Sequence, residues 1–303
     1  MKRRYFINKI TSSTIFGLSF PLSSFNNTDL NIKKITILHT NDVHSHIDPF
    51  PKNDPLNPLA GGVIARAKLI NDIKKENPLT LVFDAGDIFQ GTPYFNFFKG
   101  EIELKLMSKL GYNASTLGNH EFDNGINQLA KSMEHANFPF INSNYYLKNT
   151  PLENKIETYK IFVLDGIKIG VFGIGIELKG LVDDKLYNGV KYLDPIEISL
   201  EMTNKLKHEK SCDIIICLSH LGYDTGYNEG KMCDIFLAKK TKDIDLIIGG
   251  HSHTFMKKPI TFKNLIGKNV ILNQVGCYGL SLGKIDFYLS EVIKQKSSIN
   301  LDI

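Results

Sequence analysis

Five times this chain runs through a short apolar stretch and stops on a side chain able to bind a metal. The stretches are ITILHTNDVH, TLVFDAGD, ASTLGNHEFD, DIIICLSHLG and DLIIGGHSH. Each apolar run has the length of a buried strand. Helical segments separate most of the runs, which makes the chain α/β. Open α/β sheets gather their ligands beyond the carboxyl ends of the strands. Asp42, His44, Asp87, Asn119, His120, His220, His251 and His253 are therefore expected along one sheet edge, around a dinuclear metal centre. A lone histidine at a strand end is usually exposed or held by an ordinary hydrogen bond. That explanation would have to hold five times over, each time on the right residue type.

The 303 residues, 42% of them hydrophobic, suffice for a large core. Lys2, Arg3, Arg4 and Lys9 precede the first acid, Asp29, and together equal the whole formal net charge of +4. The remaining body is near neutral, which argues against a nucleic-acid polymer as partner. Cys212, Cys217, Cys233 and Cys277 show no CxxC spacing and read as small buried hydrophobes. No apolar run approaches the roughly 20 residues of a membrane-spanning helix. The segment 1–28, with Arg3–Arg4, Phe6 and Lys9 before a weakly apolar Ser/Thr-rich stretch, resembles a twin-arginine export signal. Export to the periplasm or another extracytoplasmic space is expected, with residues 29–303 as the folded domain.

Beyond the signal, KKITILH is the first strand and a helix follows from about Gly62 to Lys75. LTLVFDAG is the second strand, and GEIELKLMSKLG a helix closed by Gly111. A strand ending at Leu117, a helix from about Ile126 to Ala136 and the short strand FPFIN come next. TYKIFVLDGIKIGVFGIG reads as a hairpin turning at Asp165–Gly166. DPIEISLEMTNKLKHEK reads as a helix with Asp194 as its N-cap and Pro195 in its first turn. NVILNQVG and LGKIDFYLS close the chain as strands. The sum is a mixed sheet, or two sheets packed face to face and covered by helices.

In an extended chain, residues i and i+2 face the same side. Asp42 with His44, and His251 with His253, are expected to present paired ligands to one cavity. Asp87 has two oxygens and can bridge two cations, Asn119 offers an amide oxygen, and His220 another nitrogen. This mixture suits Zn, Mn, Fe or Co better than Ca or Mg alone. Two such ions can activate a water and clamp a phosphoryl oxygen. His120 adjoins a ligand, and Asp123 three residues on can hold its imidazole in one tautomer and favour the protonated form. Asp123 can equally cap the helix that follows.

DVH, GD, GNHE, SH and GHSH, in this order, resemble the calcineurin-like metallophosphoesterases. NDVHSH, GDIFQGTPY, TLGNHEFDNG, LSHLG and GGHSHT narrow the resemblance to the catalytic domain of the 5′-nucleotidase/UDP-sugar hydrolase family, over about residues 33–289. The resemblance implies a four-layer α/β/β/α sandwich. It implies one cation on Asp42, His44, Asp87 and His253 and a second on Asp87, Asn119, His220 and His251. His120 and Asp123 would form the catalytic dyad, and hydrolysis would proceed in line, without a phosphoenzyme. Gly61, Gly62, Arg66, Asn273 and Gln274 also fit family positions. The implied substrate is a small phosphate ester, such as a 5′-nucleotide. The family's C-terminal domain for base recognition is expected to be missing here. Two expectations follow: a broad phosphohydrolase, or the catalytic half of a nucleotidase completed by a separate subunit. A thiosulfate-ester hydrolase on the same scaffold is the alternative chemistry.

Overall fold

The computed structural model describes residues 32–290 and 294–303; the expected export segment lies outside them. Among the described residues, two sheets carry the fold. The larger runs Lys294–Asp302, Ser281–Leu289, Lys33–Thr40, Thr80–Asp84, Ala114–Ser115, Phe140–Ile141 and Ile156–Glu157. The smaller runs Ile260–Lys263, Asn269–Asn273, Leu246–Ile248, Ile214–Ser219, Ile167–Ile174 and Tyr159–Leu164. In both, the central strands are parallel; antiparallel strands flank them on both sides in the smaller sheet and on one side in the larger, whose other edge, Ile156–Glu157, is parallel.

Side-chain alternation assigns the layers. In Lys33–Thr40, Ile35 and Ile37 join Phe83, Ile169, Val171, Ile214 and Ile216 between the sheets. Leu38 faces the other way, with Val82, into a cluster completed by Ile70, Leu104 and Leu129 of the covering helices. Met202, Leu206, Leu237 and Ala238 cover the outer face of the smaller sheet. A strand buried on both faces has no polar side, which is why these runs read as continuous apolar stretches. Each fully buried Ile, Leu or Phe contributes roughly 1.5–3 kcal/mol. The result is an α/β/β/α sandwich.

Local chemistry places most elements. Asp194 accepts hydrogen bonds from the N–H groups of Ile196 and Glu197 and caps the helix Pro195–Asn204. Gly111 ends Glu101–Leu110 at φ 73°. Asp165 and Gly166 turn the hairpin at φ 46° and 81°, as a tight primed turn demands. The expected strand ending at Leu117 is cut to Ala114–Ser115, and the backbone bonds described to the neighbouring strand end with Thr116 N–H to Asp84 O. The helix expected to Ala136 stops at Ser132 and tightens into a 3₁₀ turn, Met133–His135. The edge strand Lys294–Asp302 was not expected, since its exposed Ser297 and Ser298 carry no apolar alternation.

Candidate metal centre

Every ligand candidate lies just beyond the carboxyl end of a parallel strand. Asp42 and His44 follow Thr40, Asp87 follows Asp84, and Asn119 follows Ser115. His220 follows Ser219, and His251 and His253 follow Ile248. Two groups form. Asp42, His44 and His253 converge in one, Asp87, His220 and His251 in the other. In the first, the Nε2 atoms of His44 and His253 are 2.9 Å apart. They lie 3.9 and 3.5 Å from Asp42 Oδ1. In the second, His220 Nε2 lies 3.0 Å from Asp87 Oδ2. Asn119 Oδ1 adds itself 3.0 Å from His251 Nδ1. The groups adjoin: His44 Nε2 is 4.0 Å from Asp87 Oδ2, and His220 Nε2 is 4.0 Å from Asp42 Oδ1.

Asp42 and His44 share one group as expected and His251 and His253 do not, and neither pair is extended. Asp42, His44, His251 and His253 have φ of 50°, 49°, 70° and 52°, and Asp87 of 55°. These are left-handed conformations, costing on the order of 1–3 kcal/mol each outside glycine. The loops are curled, so His251 and His253 part company, one to each group. Neighbouring bonds hold the curl. His251 N–H donates to both oxygens of Asp42 at 2.9 and 3.0 Å, and Tyr278 N–H to Asp42 O at 2.7 Å. Asn41 Nδ2 bridges Asp42 Oδ2 and Gly276 O, each at 2.6 Å. Gln274 Oε1 accepts from Ser252 Oγ and Thr254 N–H at 2.9 and 2.5 Å, pinning the His251–His253 loop.

The electrostatics fit a cation in each group. Asp42 and Asp87 are 0% and 2% exposed, so two carboxylates are held out of water. Hydrogen bonding to Asp42 first and Cys277 second, against burial, raises His253 to about 10. Burial disfavours charge on His220, but Asp87 and Asp42 outweigh it and raise that imidazole to about 10 as well. Burial, and then the His220 charge, lower His251 to about 4. Burial likewise lowers His44. Each group therefore holds one imidazole whose affinity for positive charge the carboxylates raise, where a divalent cation would balance them. His220 Nε2, wholly buried, makes no aligned hydrogen bond despite its closeness to Asp87. Orphaned nitrogen, buried carboxylates and mixed N/O donors fit two transition-metal ions.

His120 and Asp123 lie beside the centre. His120 Nδ1 is 2.7 Å from Asp123 Oδ2, and its ring is 5.3 Å from that of His44. Asp123 does not cap the next helix: Gly125 is its N-cap, without a side-chain bond. Burial lowers the His120 pKa, but hydrogen bonding to Asp123 and the charges of Asp87, Asp123 and Glu121 turn the net shift upward.

Two residues that sequence reasoning passed over hold this arrangement. Glu121, 1% exposed, accepts N–H bonds from Asp87 and Gly118 on Oε2 at 2.9 and 2.6 Å. Its Oε1 accepts from Ile88 at 2.7 Å and Phe89 at 3.4 Å. Burial and the charge of Asp87 push its pKa up to about 7 against the pull of those donors. Tyr278, at φ 62°, sets its ring 5.9 Å from both His44 and His253. The only advance signal for Glu121 was an acid amid residues that all had other jobs; Tyr278 gave none.

The comparisons with known proteins agree with this geometry. The calcineurin-like phosphoesterase family model matches residues 35–255. A 5′-nucleotidase of Vibrio cholerae is 36% identical over 247 residues, 78% of this chain and 43% of that protein. A snake venom 5′-nucleotidase of Gloydius brevicauda is 32% identical over 287 residues, 88% of this chain and 46% of that protein. The solved Haemophilus influenzae NAD nucleotidase superposes with a TM-score of 0.78 at 30% identity, over 88% of this chain and 49% of that one. The chain thus spans about half the length of the relatives it matches. On the family match and on the fold, it belongs to the calcineurin-like phosphoesterases.

Proposed function

We propose that this protein hydrolyses phosphate monoesters, with 5′-nucleotides the favoured substrate class, at a dinuclear metal centre. The observation that carries the reading is the pair of adjoining ligand groups with the His120–Asp123 pair beside them. Asp42, His44, Asp87 and His253 would hold one cation, and Asp87, Asn119, His220 and His251 the other, with Asp87 shared. Bound there, two cations would supply Lewis acidity to a phosphoryl oxygen and ease deprotonation of a water. Everything else falls to the chain. Asp123 holds His120 through Nδ1, so its tautomer is fixed and Nε2 is left for substrate. The charged imidazole can neutralise a phosphoryl oxygen or give a proton to the departing oxygen. The curled ligand loops and the Asn41 and Gln274 braces keep the donors from rearranging. Zn, Mn, Fe and Co all suit the donor set.

The names of the relatives support the nucleotide reading; base recognition has no counterpart among the residues described above. Residues 29–303 are read as the catalytic domain, and the Arg3–Arg4 segment supports export. Among the described residues, no helix is long and apolar enough to cross a membrane. A substrate panel on metal-loaded protein tests the reading. It should contain 5′-nucleotides, 2′,3′-cyclic nucleotides, UDP-sugars, an aryl phosphate and a thiosulfate ester. Phosphate release with nucleotides ahead of the aryl phosphate is expected. Equal rates on both would leave a broad phosphatase, and sulfate release alone would overturn the phosphoesterase reading.

A further inference from the structure

The loop carrying Asp87 and the loop carrying Asn119 leave neighbouring strands and must end a fixed distance apart. Backbone pairing does not fix it. The backbone hydrogen bonds described between these segments stop at Thr116 N–H to Asp84 O, 3.2 Å. Beyond that point the described bonds run through two carboxylates. Asp87 Oδ1 accepts His120 N–H at 2.8 Å. Glu121 reaches from the far side, one oxygen shared by Asp87 N–H and Gly118 N–H, the other serving Ile88 N–H. The loop of Asp42 and His44 needs no such clamp. His44 N–H and Ser45 N–H bond directly to Asp87 O and Ile88 O at 3.1 and 2.8 Å.

We propose that Glu121 is a positioning residue that sets the separation of the Asp87 and Asn119 loops, and so governs selectively the affinity of the Asp87/Asn119/His220/His251 group for its cation. The inference rests on the dinuclear reading above. Glu121 touches no ligand side chain in the hydrogen bonds described; it acts through the backbone of the residues that carry them. Only a carboxylate can do this. Glutamine has one oxygen for N–H groups arriving at two, and its amide would set a donor against a donor.

The test is a Mn²⁺ and Co²⁺ titration of chelator-stripped wild type and Glu121→Gln, read by calorimetry and by bound-metal analysis after dialysis. Wild type should take two cations; if it takes none, the metal-centre reading fails and this inference falls with it. In Glu121→Gln one site should persist near its wild-type affinity while the other weakens about 10–100-fold, the usual effect of losing a supporting partner around a metal site. Equal weakening of both sites would mean general destabilisation and overturn the proposal, as would two undisturbed sites. Should the variant fail to fold, amide exchange on metal-free wild type decides. Slow exchange at Asp87, Ile88 and Gly118 before any metal is added supports a preset clamp. Fast exchange until metal arrives contradicts it.

Discussion

His120 Nδ1 and Asp123 Oδ2 are 2.7 Å apart within one 3₁₀ turn, on the flank of the two ligand groups. The described side-chain contacts of the pair are with each other and with the His44 ring. His120→Ala should therefore leave the melting temperature within a degree or two and lower kcat by about 10²–10⁴, the usual range for a general acid. Thermal melts and single-substrate kinetics check both halves.

Asp123 contributes to the upward shift of His120. If the charged imidazole is the working form, activity falls as pH rises through that pKa. Asp123→Asn removes a raising interaction, so the alkaline limb of the kcat profile should move to lower pH. A limb that stays in place would assign it to another group.

A Cβ on Gly118 would sit 2.2 Å from Asp87 Oδ1 and 2.6 Å from His220 Nε2. Both neighbours are buried and their atoms are the ones wanted for a cation. Gly118→Ala should lower metal stoichiometry and activity together, by at least about 10-fold in affinity. Dialysis followed by metal analysis reads the loss directly.

His39 is fully buried between the sheets, and burial lowers its pKa to about 3. The unfolded chain takes up the proton near 6.5, so stability is complete above that pH and is lost as pH falls from about 6.5 toward 3. Between pH 7 and 5 the loss from this group alone is about 2 kcal/mol. His39→Gln in metal-free protein should flatten the difference in urea stability between those pH values. An unchanged slope would place the acid sensitivity elsewhere.

The two converging clusters, Asp42/His44/His253 and Asp87/His220/His251, were legible because metal chemistry restricts residue type at each position, and strand ends supply the positions. Asp165–Gly166, Gly111 and Asp194 were legible because only a few residues suit a primed turn, a left-handed cap or an N-cap. What escaped notice has no such restriction. The edge strand Lys294–Asp302 pairs through its backbone and exposes polar side chains, so it carries no alternation. The division of His251 and His253 between groups came from the family resemblance; spacing put both in one cavity, because it cannot reveal the left-handed backbone at the two histidines. Glu121 works through N–H groups, which leave no trace in a sequence.

The most direct test of the dinuclear reading is bound metal against phosphate release on one preparation. Chelator-stripped protein should release no phosphate from a 5′-nucleotide, and Mn²⁺ or Co²⁺ should restore activity in step with binding, levelling at two cations per chain. Full activity in metal-free protein, or a plateau at one cation, would contradict it.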